Sequence, residues 1–256
     1  MTTDSLTTFG TISSKTMAKA QLPEVKLLGQ SVEYELRQSD DATKPRIDVD
    51  IHGVTVVIPR SHEVHPEELL KDNAAWVIEK QEKYETYREE IPEREFDEGA
   101  MFPYLGEEYQ IVVEKRSSSQ IVKNALRLAE HHVNQTSIKR ALETLYRRKA
   151  RERFEKRAEH YAEKMNVEYD KIQIRNQRTK FGSCSTTGTI SLNWRLMMGP
   201  AEIVDYVIVH ELAHLREQNH GKDFWSLVAE YDPDYENHSR WLDENSAQLI
   251  FSEDDL

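Results

Sequence analysis

The chain has 256 residues, enough for one large domain or two small ones with cores of their own. At 38% hydrophobic and 31% charged it reads as a very polar globular protein. No window nears the ~18 consecutive apolar residues of a membrane helix. The net charge of −12 weighs against a general nucleic-acid binder, which needs a basic surface for phosphate. A single cysteine, Cys184, excludes an intramolecular disulfide. With no apolar signal-peptide core at the N-terminus, this points to a reducing, cytoplasmic setting.

Residues 1–30, rich in Ser, Thr and Lys, are expected to form a flexible segment. From about residue 31 the pattern becomes strand-rich. "SVEYELR" alternates, and in "PRIDVDIHGVTVVIP" Ile47, Val49 and Ile51 recur at period two before Gly53 turns the chain into Val54, Val56 and Ile58, a β-hairpin. "HPEELLKDNAAWVIEKQEKYETY" reads as one amphipathic helix, and "FPYLGEEYQIVVEK" as a second hairpin around Gly106. The polar run "RSSSQIVKNALRLAEHHVNQT" is the best domain boundary, so 31–120 is expected to be a β-rich subdomain with one helix and 121–256 a catalytic domain. No internal repeat is apparent.

From Ser137 a long helix places Ile138, Leu142, Leu145, Ala150, Phe154, Ala158, Tyr161 and Met165 on one stripe. Arg140, Arg147, Arg148, Lys149, Arg151, Arg153, Lys156 and Arg157 crowd the same helix. Glu143, Glu152, Glu155 and Glu159 supply partners, which favours a solvated, salt-bridged face over a phosphate-binding one. "DKIQIRNQ" and "GTISLNWRL" read as strands, followed by a helix from Pro200 and a last helix over "SRWLDENSAQLI".

The helix from Pro200 carries "HELAH". His210 and His214, four apart, share a helix face, with Glu211 one step round the axis. The surrounding "IVDYVIVHELAHL" is apolar, so these polar side chains are buried, and burying them without partners costs several kcal/mol. Zinc removes that cost by binding neutral imidazoles, and Glu211 beside a metal-activated water acts as general base. The third ligand is expected to be His220, six residues on, with Glu230, Glu236 and His238 as competitors. Asn219 and Gly221 are expected to supply the turn by left-handed backbone. His238 is also a candidate for donating to an oxyanion. Cys184 in "GSCS" reads as a small packed residue rather than a nucleophile.

The stretch "RNQRTKFGSCSTTGTISLNWRLMMGPAEIVDYVIVHELAHLREQNHGKDFWSLVAEYDPDY" resembles the core of the YgjP-like metallopeptidases, relatives of the SprT-like zincins. Arg178, Gly182, Ser183, Cys184, Ser185, Asn193, Pro200, His210, Glu211, His214, His220, Phe224 and Trp225 match the family pattern, and Phe181 stands where the family usually has Trp. The resemblance implies an α+β fold with a zincin-like core behind a β-rich N-terminal subdomain, Zn2+ on His210, His214 and His220, and Glu211 as catalytic acid/base. Arg178, Lys180 and His238 are candidate contacts to substrate or transition state. Peptide hydrolysis is the first expectation, with the strand "GTISLNW" offering backbone to an extended substrate. UTP pyrophosphatase activity at the same metal, also assigned within the family, is the alternative. A DNA-associated protease of SprT-like type is the third, supported only by the basic helix. The substrate is therefore a peptide or a nucleotide, with no membrane partner, and the oligomeric state is open.

Overall fold

A computed structural model of the chain describes residues 22–177 and 180–255 and divides between Tyr84 and Glu85 into two units. In the first unit, strand β1 (Glu24–Leu27) buries Val25 and Leu27 and pairs antiparallel with β2 (Gln30–Ser39). Leu28 and Gly29 join them with φ of +48° and +93°, the positive-φ pair that suits a two-residue hairpin. The flexible segment expected up to residue 30 is therefore corrected over 22–30, and its remainder, 1–21, lies outside the described residues. β3 (Arg46–Asp50) and β4 (Gly53–Pro59) form the expected hairpin, and β4 also lies parallel to β2, giving the order β1-β2-β4-β3. The helix expected to be continuous is two, α1 (Pro66–Asp72) and α2 (Ala74–Glu89). The Asn73 side-chain amide donates to the Leu69 carbonyl at 2.8 Å, the local competition that interrupts a helix at such residues.

The second unit opens with the same arrangement. β5 (Met101–Tyr104), β6 (Glu107–Glu114), β7 (Gln120–Val122) and β8 (Ala125–Ala129) order as β5-β6-β8-β7, with β6 and β8 parallel and the outer pairs antiparallel. Again a Leu-Gly pair, Leu105 and Gly106 at φ +51° and +83°, makes the first turn. Again two helices follow, α3 (Glu130–Gln135) and α4 (Ile138–Met165). A four-strand, two-helix pattern thus occurs twice, where no repeat was expected from the sequence. Its visible trace is "KLLGQ" against "PYLGE"; elsewhere the two copies share only alternation.

The expected division at 120–121 separates strands that share one core. Phe102, Ile111, Leu126 and Leu128 of this sheet pack in a single cluster with Leu142, Tyr146 and Phe154 of α4. The polar "RSSS" run, residues 116–119, is a loop within the sheet, because the apolar face of β5–β8 has to be covered and α4 covers it. α4 starts where Ser137 Oγ accepts from the Arg140 amide at 3.2 Å and ends at Asn166 in the left-handed region. Its cations are largely paired: Arg140 and Arg147 with Glu143, Lys149 with Glu152, Arg151 with Glu155.

A three-stranded sheet follows, ordered β10 (Gly182–Cys184), β11 (Thr189–Asn193), β9 (Lys171–Arg175), with β10 at its edge. A 3-10 turn, Trp194–Met198, leads to α5 (Ala201–Ala213), then α6 (Lys222–Tyr231) and α7 (Tyr235–Asn245). α5 packs against α4, α7 and this sheet, an α+β arrangement. Arg157 reaches from α4 to grip both Asp205 oxygens of α5, at 2.7 Å each. No helix among the described residues is long and apolar enough to cross a membrane. Phe154 is fully buried where α4 joins this core. Phe154→Ala is expected to cost about 3–5 kcal/mol of stability, read as a shift in the denaturant midpoint.

Candidate metal centre

α5 carries His210 and Glu211 in its last turn, and His214 caps its C-terminus. The helix stops there because the amides of Arg216 and Glu217 both turn back to the Ala213 carbonyl, at 3.0 and 2.9 Å. That turn brings the Glu217 carbonyl to 3.1 Å from His214 Nδ1. A carbonyl only accepts, so Nδ1 carries the proton and Nε2 keeps its lone pair. The left-handed turn expected at Asn219 and Gly221 does not form; Gly221 has φ −77°. Instead the Gly221 amide donates to the Asn219 carbonyl at 2.7 Å, a tight three-residue turn that presents His220.

Ligand atoms of His210, His214 and His220 lie within 4.8 Å of one another, the one such group found among the described residues. His210 Nε2 and His220 Nε2 are 3.1 Å apart. Zn–N bonds of ~2.0–2.1 Å at a tetrahedral centre place two nitrogens about 3.3 Å apart, so the donor set fits the ion. Burial, then the neighbouring His214 and His220, push His210 down to about 4, which keeps it neutral. Burial lowers His214 as well. Glu230, Glu236 and His238 are outside the group.

Glu211 is 6% exposed, and burial raises its carboxyl to about 7 against the opposing pull of Lys180. It lies close against β10: a Cβ added to Gly182 would overlap the Glu211 carboxylate, with Glu211 Cδ at 2.8 Å. A cleft of about 360 Å³ opens over these groups, lined by Lys180, Gly182, Cys184, His210, Glu211 and His220 among others. Burial and the neighbouring Glu211 push the Cys184 thiol up, the opposite of what an activated nucleophile needs.

Among the candidate contacts, Lys180 lines the cleft, and Arg178 falls outside the described residues. His238 does not line it; its Nδ1 is 2.8 Å from Asp232 Oδ2 and its ring faces Tyr206. The structure adds Asn193, fully buried, whose role was not readable from its place in the motif. Its amide donates to the carbonyls of Gln177 (2.7 Å) and Lys180 (3.2 Å), and its Oδ1 accepts from the Arg195 amide at 3.1 Å, so it anchors the segment bearing Lys180. A polar residue ending an apolar strand was the available signal.

A family model described as YgjP-like, metallopeptidase domain, matches residues 43–245. No curated protein matches. Two solved archaeal structures are similar to part of the chain. The metallopeptidase zymogen abylysin of Pyrococcus abyssi is 24% identical over 38% of this chain and 99% of its own, with a TM-score of 0.32. The zymogen jannalysin of Methanocaldococcus jannaschii is 23% identical over 36% and 96%, with a TM-score of 0.34.

The contact between Gly182 and Glu211 is testable without substrate. Gly182→Ala is expected to destabilise the protein by ~1–3 kcal/mol through overpacking. Adding Glu211→Ala should recover most of that loss, a non-additivity measured by a double-mutant cycle in denaturant.

Proposed function

The chain belongs to the YgjP-like metallopeptidase family, and we propose that it hydrolyses peptide bonds with zinc held by His210, His214 and His220 and with Glu211 as general base. The observation that carries this reading is the convergence of three imidazoles beside one buried carboxyl group in an open cleft. A set of three nitrogen donors suits zinc and leaves room for a further ligand. Bound there, the metal supplies Lewis acidity toward a water molecule and the scissile carbonyl.

The remaining steps belong to the protein. Glu211 takes the proton of the attacking water at a carboxylate oxygen and delivers it to the leaving amine. Its raised pKa suits both halves of that transfer, since a base near neutrality gives the proton back readily. A cation at the three histidines favours its ionised form, offsetting the burial. Lys180 is the proposed contact for negative charge developing on the substrate.

The edge position of β10 favours a peptide over a nucleotide. Among the described residues β10 pairs only with β11, and Gly182, Ser183 and Cys184 line the cleft, so an extended substrate can add to its outer edge by backbone hydrogen bonds. A triphosphate calls for several cations, and Lys180 is the one basic side chain among the described lining residues apart from the histidines. The arginines of α4 are largely engaged in ion pairs, which leaves the UTP pyrophosphatase and DNA-associated alternatives with less support.

Zinc-loaded protein is expected to cleave unfolded casein and to leave UTP intact. Glu211→Gln should lower proteolysis roughly 10²–10⁴-fold while zinc content stays near one per chain. UTP cleavage that disappears with the same substitution would replace this reading by the pyrophosphatase. His220→Ala is expected to lose zinc, measured by elemental analysis after dialysis; unchanged zinc would remove His220 from the ligand set.

A further inference from the structure

The three imidazoles are oriented by different means. His210 is fixed by its place in a buried helix, and His214 by the hydrogen bond to the Glu217 carbonyl. His220 stands on an exposed loop, and among the described residues no hydrogen bond reaches its Nδ1. A metal-binding histidine usually has its second nitrogen held by an acceptor that sets the ring's orientation. Aromatic rings surround His220 instead. Phe224 meets it edge-on, with centroids 4.7 Å apart and planes at 86°. Trp225 stacks on it at 5.7 Å and 25°. Tyr235, on the neighbouring helix α7, stacks on Trp225 at 5.2 Å and 19°. These distances fall in the range of offset stacking. The Trp225 amide also donates to the Gly221 carbonyl at 3.2 Å, which ties the indole to the loop that carries His220.

We infer that Trp225, backed by Tyr235, is a positioning residue for His220: the indole face holds the imidazole plane in its metal-binding orientation, the task a hydrogen bond performs for His214. The inference rests on the reading of His220 as a metal ligand. Phe224 is fully buried, so its removal would disturb the core, whereas Trp225 and Tyr235 are only half-buried and can be replaced with the fold kept. Flat aromatic surface is the property that acts, so phenylalanine can stand in for tryptophan and leucine cannot.

The experiment uses the full-length metal-free protein and Zn2+ alone, titrated in competition with a chromophoric chelator. Trp225→Leu is expected to weaken zinc binding roughly 10–100-fold, the effect usual for residues that orient a ligand. Tyr235→Leu should weaken it less and in the same direction, and Trp225→Phe should bind close to the parent. With Co2+ in the site, the visible spectrum of Trp225→Leu should shift toward that of His220→Ala, and the Trp225→Phe spectrum should not. Thermal midpoints of the metal-free forms identify any variant that fails to fold. Parent-like zinc affinity in Trp225→Leu, with His220→Ala impaired, overturns the inference alone. So does equal weakening in Trp225→Leu and Trp225→Phe. If His220→Ala binds zinc as the parent does, the ligand assignment itself fails and the stack has nothing to position. Should Trp225→Leu not fold, Tyr235→Leu and Trp225→Phe decide: parent-like affinity in Tyr235→Leu, or a large loss in Trp225→Phe, overturns it.

Discussion

Removal of water from the last turn of α5 is the constraint on which the site depends. An apolar helix presses two histidines and a glutamate against a sheet edge, and burial favours the uncharged form of each. Burial is the largest cause of both shifts, His210 down to about 4 with help from His214 and His220, and Glu211 up to about 7 against the pull of Lys180. The same burial prepares imidazole lone pairs for a cation and leaves a carboxyl group able to accept and return a proton. Gly182 follows from it too. A carboxyl group pushed against β10 needs a strand residue without a Cβ at that point. The bidentate Arg157–Asp205 pair ties the solvent side of α5 to α4, so the helix is fastened on two faces.

The doubled four-strand, two-helix pattern explains why the domain limit lies where it does. In the first copy the helices that follow the sheet are 7 and 16 residues long. In the second copy the last helix extends to 28 residues. That length lets α4 cover its own sheet with Phe154 and Tyr146 and still offer a face to α5 and the 3-10 turn beyond it. One core therefore contains both the second sheet and the His-bearing helix. The first sheet closes its own core on Leu70 and Val77. A boundary drawn from the polar "RSSS" run misses this, because polarity marks a loop without saying whether its flanking strands belong to the same sheet.

Much of the local structure was legible in the chain. The hairpins around Gly53 and Gly106 and the apolar stripe of α4 follow from periodicity, since alternation and a 3.6-residue repeat report which side chains need burial. Local hydrogen bonding modified the details. Asn73 divided one expected helix into two, and the loop from Leu215 to Gly221 turned without a left-handed residue. β1, β7 and β8 were harder to see. They are three to five residues long, and only their pairing into a sheet distinguishes them from loop.

Spacing on one helix was determined by the sequence alone: His210 and His214 share a face because the α-helix repeats every 3.6 residues, Glu211 lies one step round the axis, and their apolar neighbours imply burial. The rest depended on contacts between residues distant along the chain. Tertiary structure brought Gly182 against Glu211, gave Asn193 the segment that bears Lys180, paired the arginines of α4, and set His220 on the face of Trp225 with Tyr235 behind it. No local pattern encodes those neighbours, because they are produced by packing α4, α5, α6 and α7 around one core, and packing selects partners by shape across the whole unit.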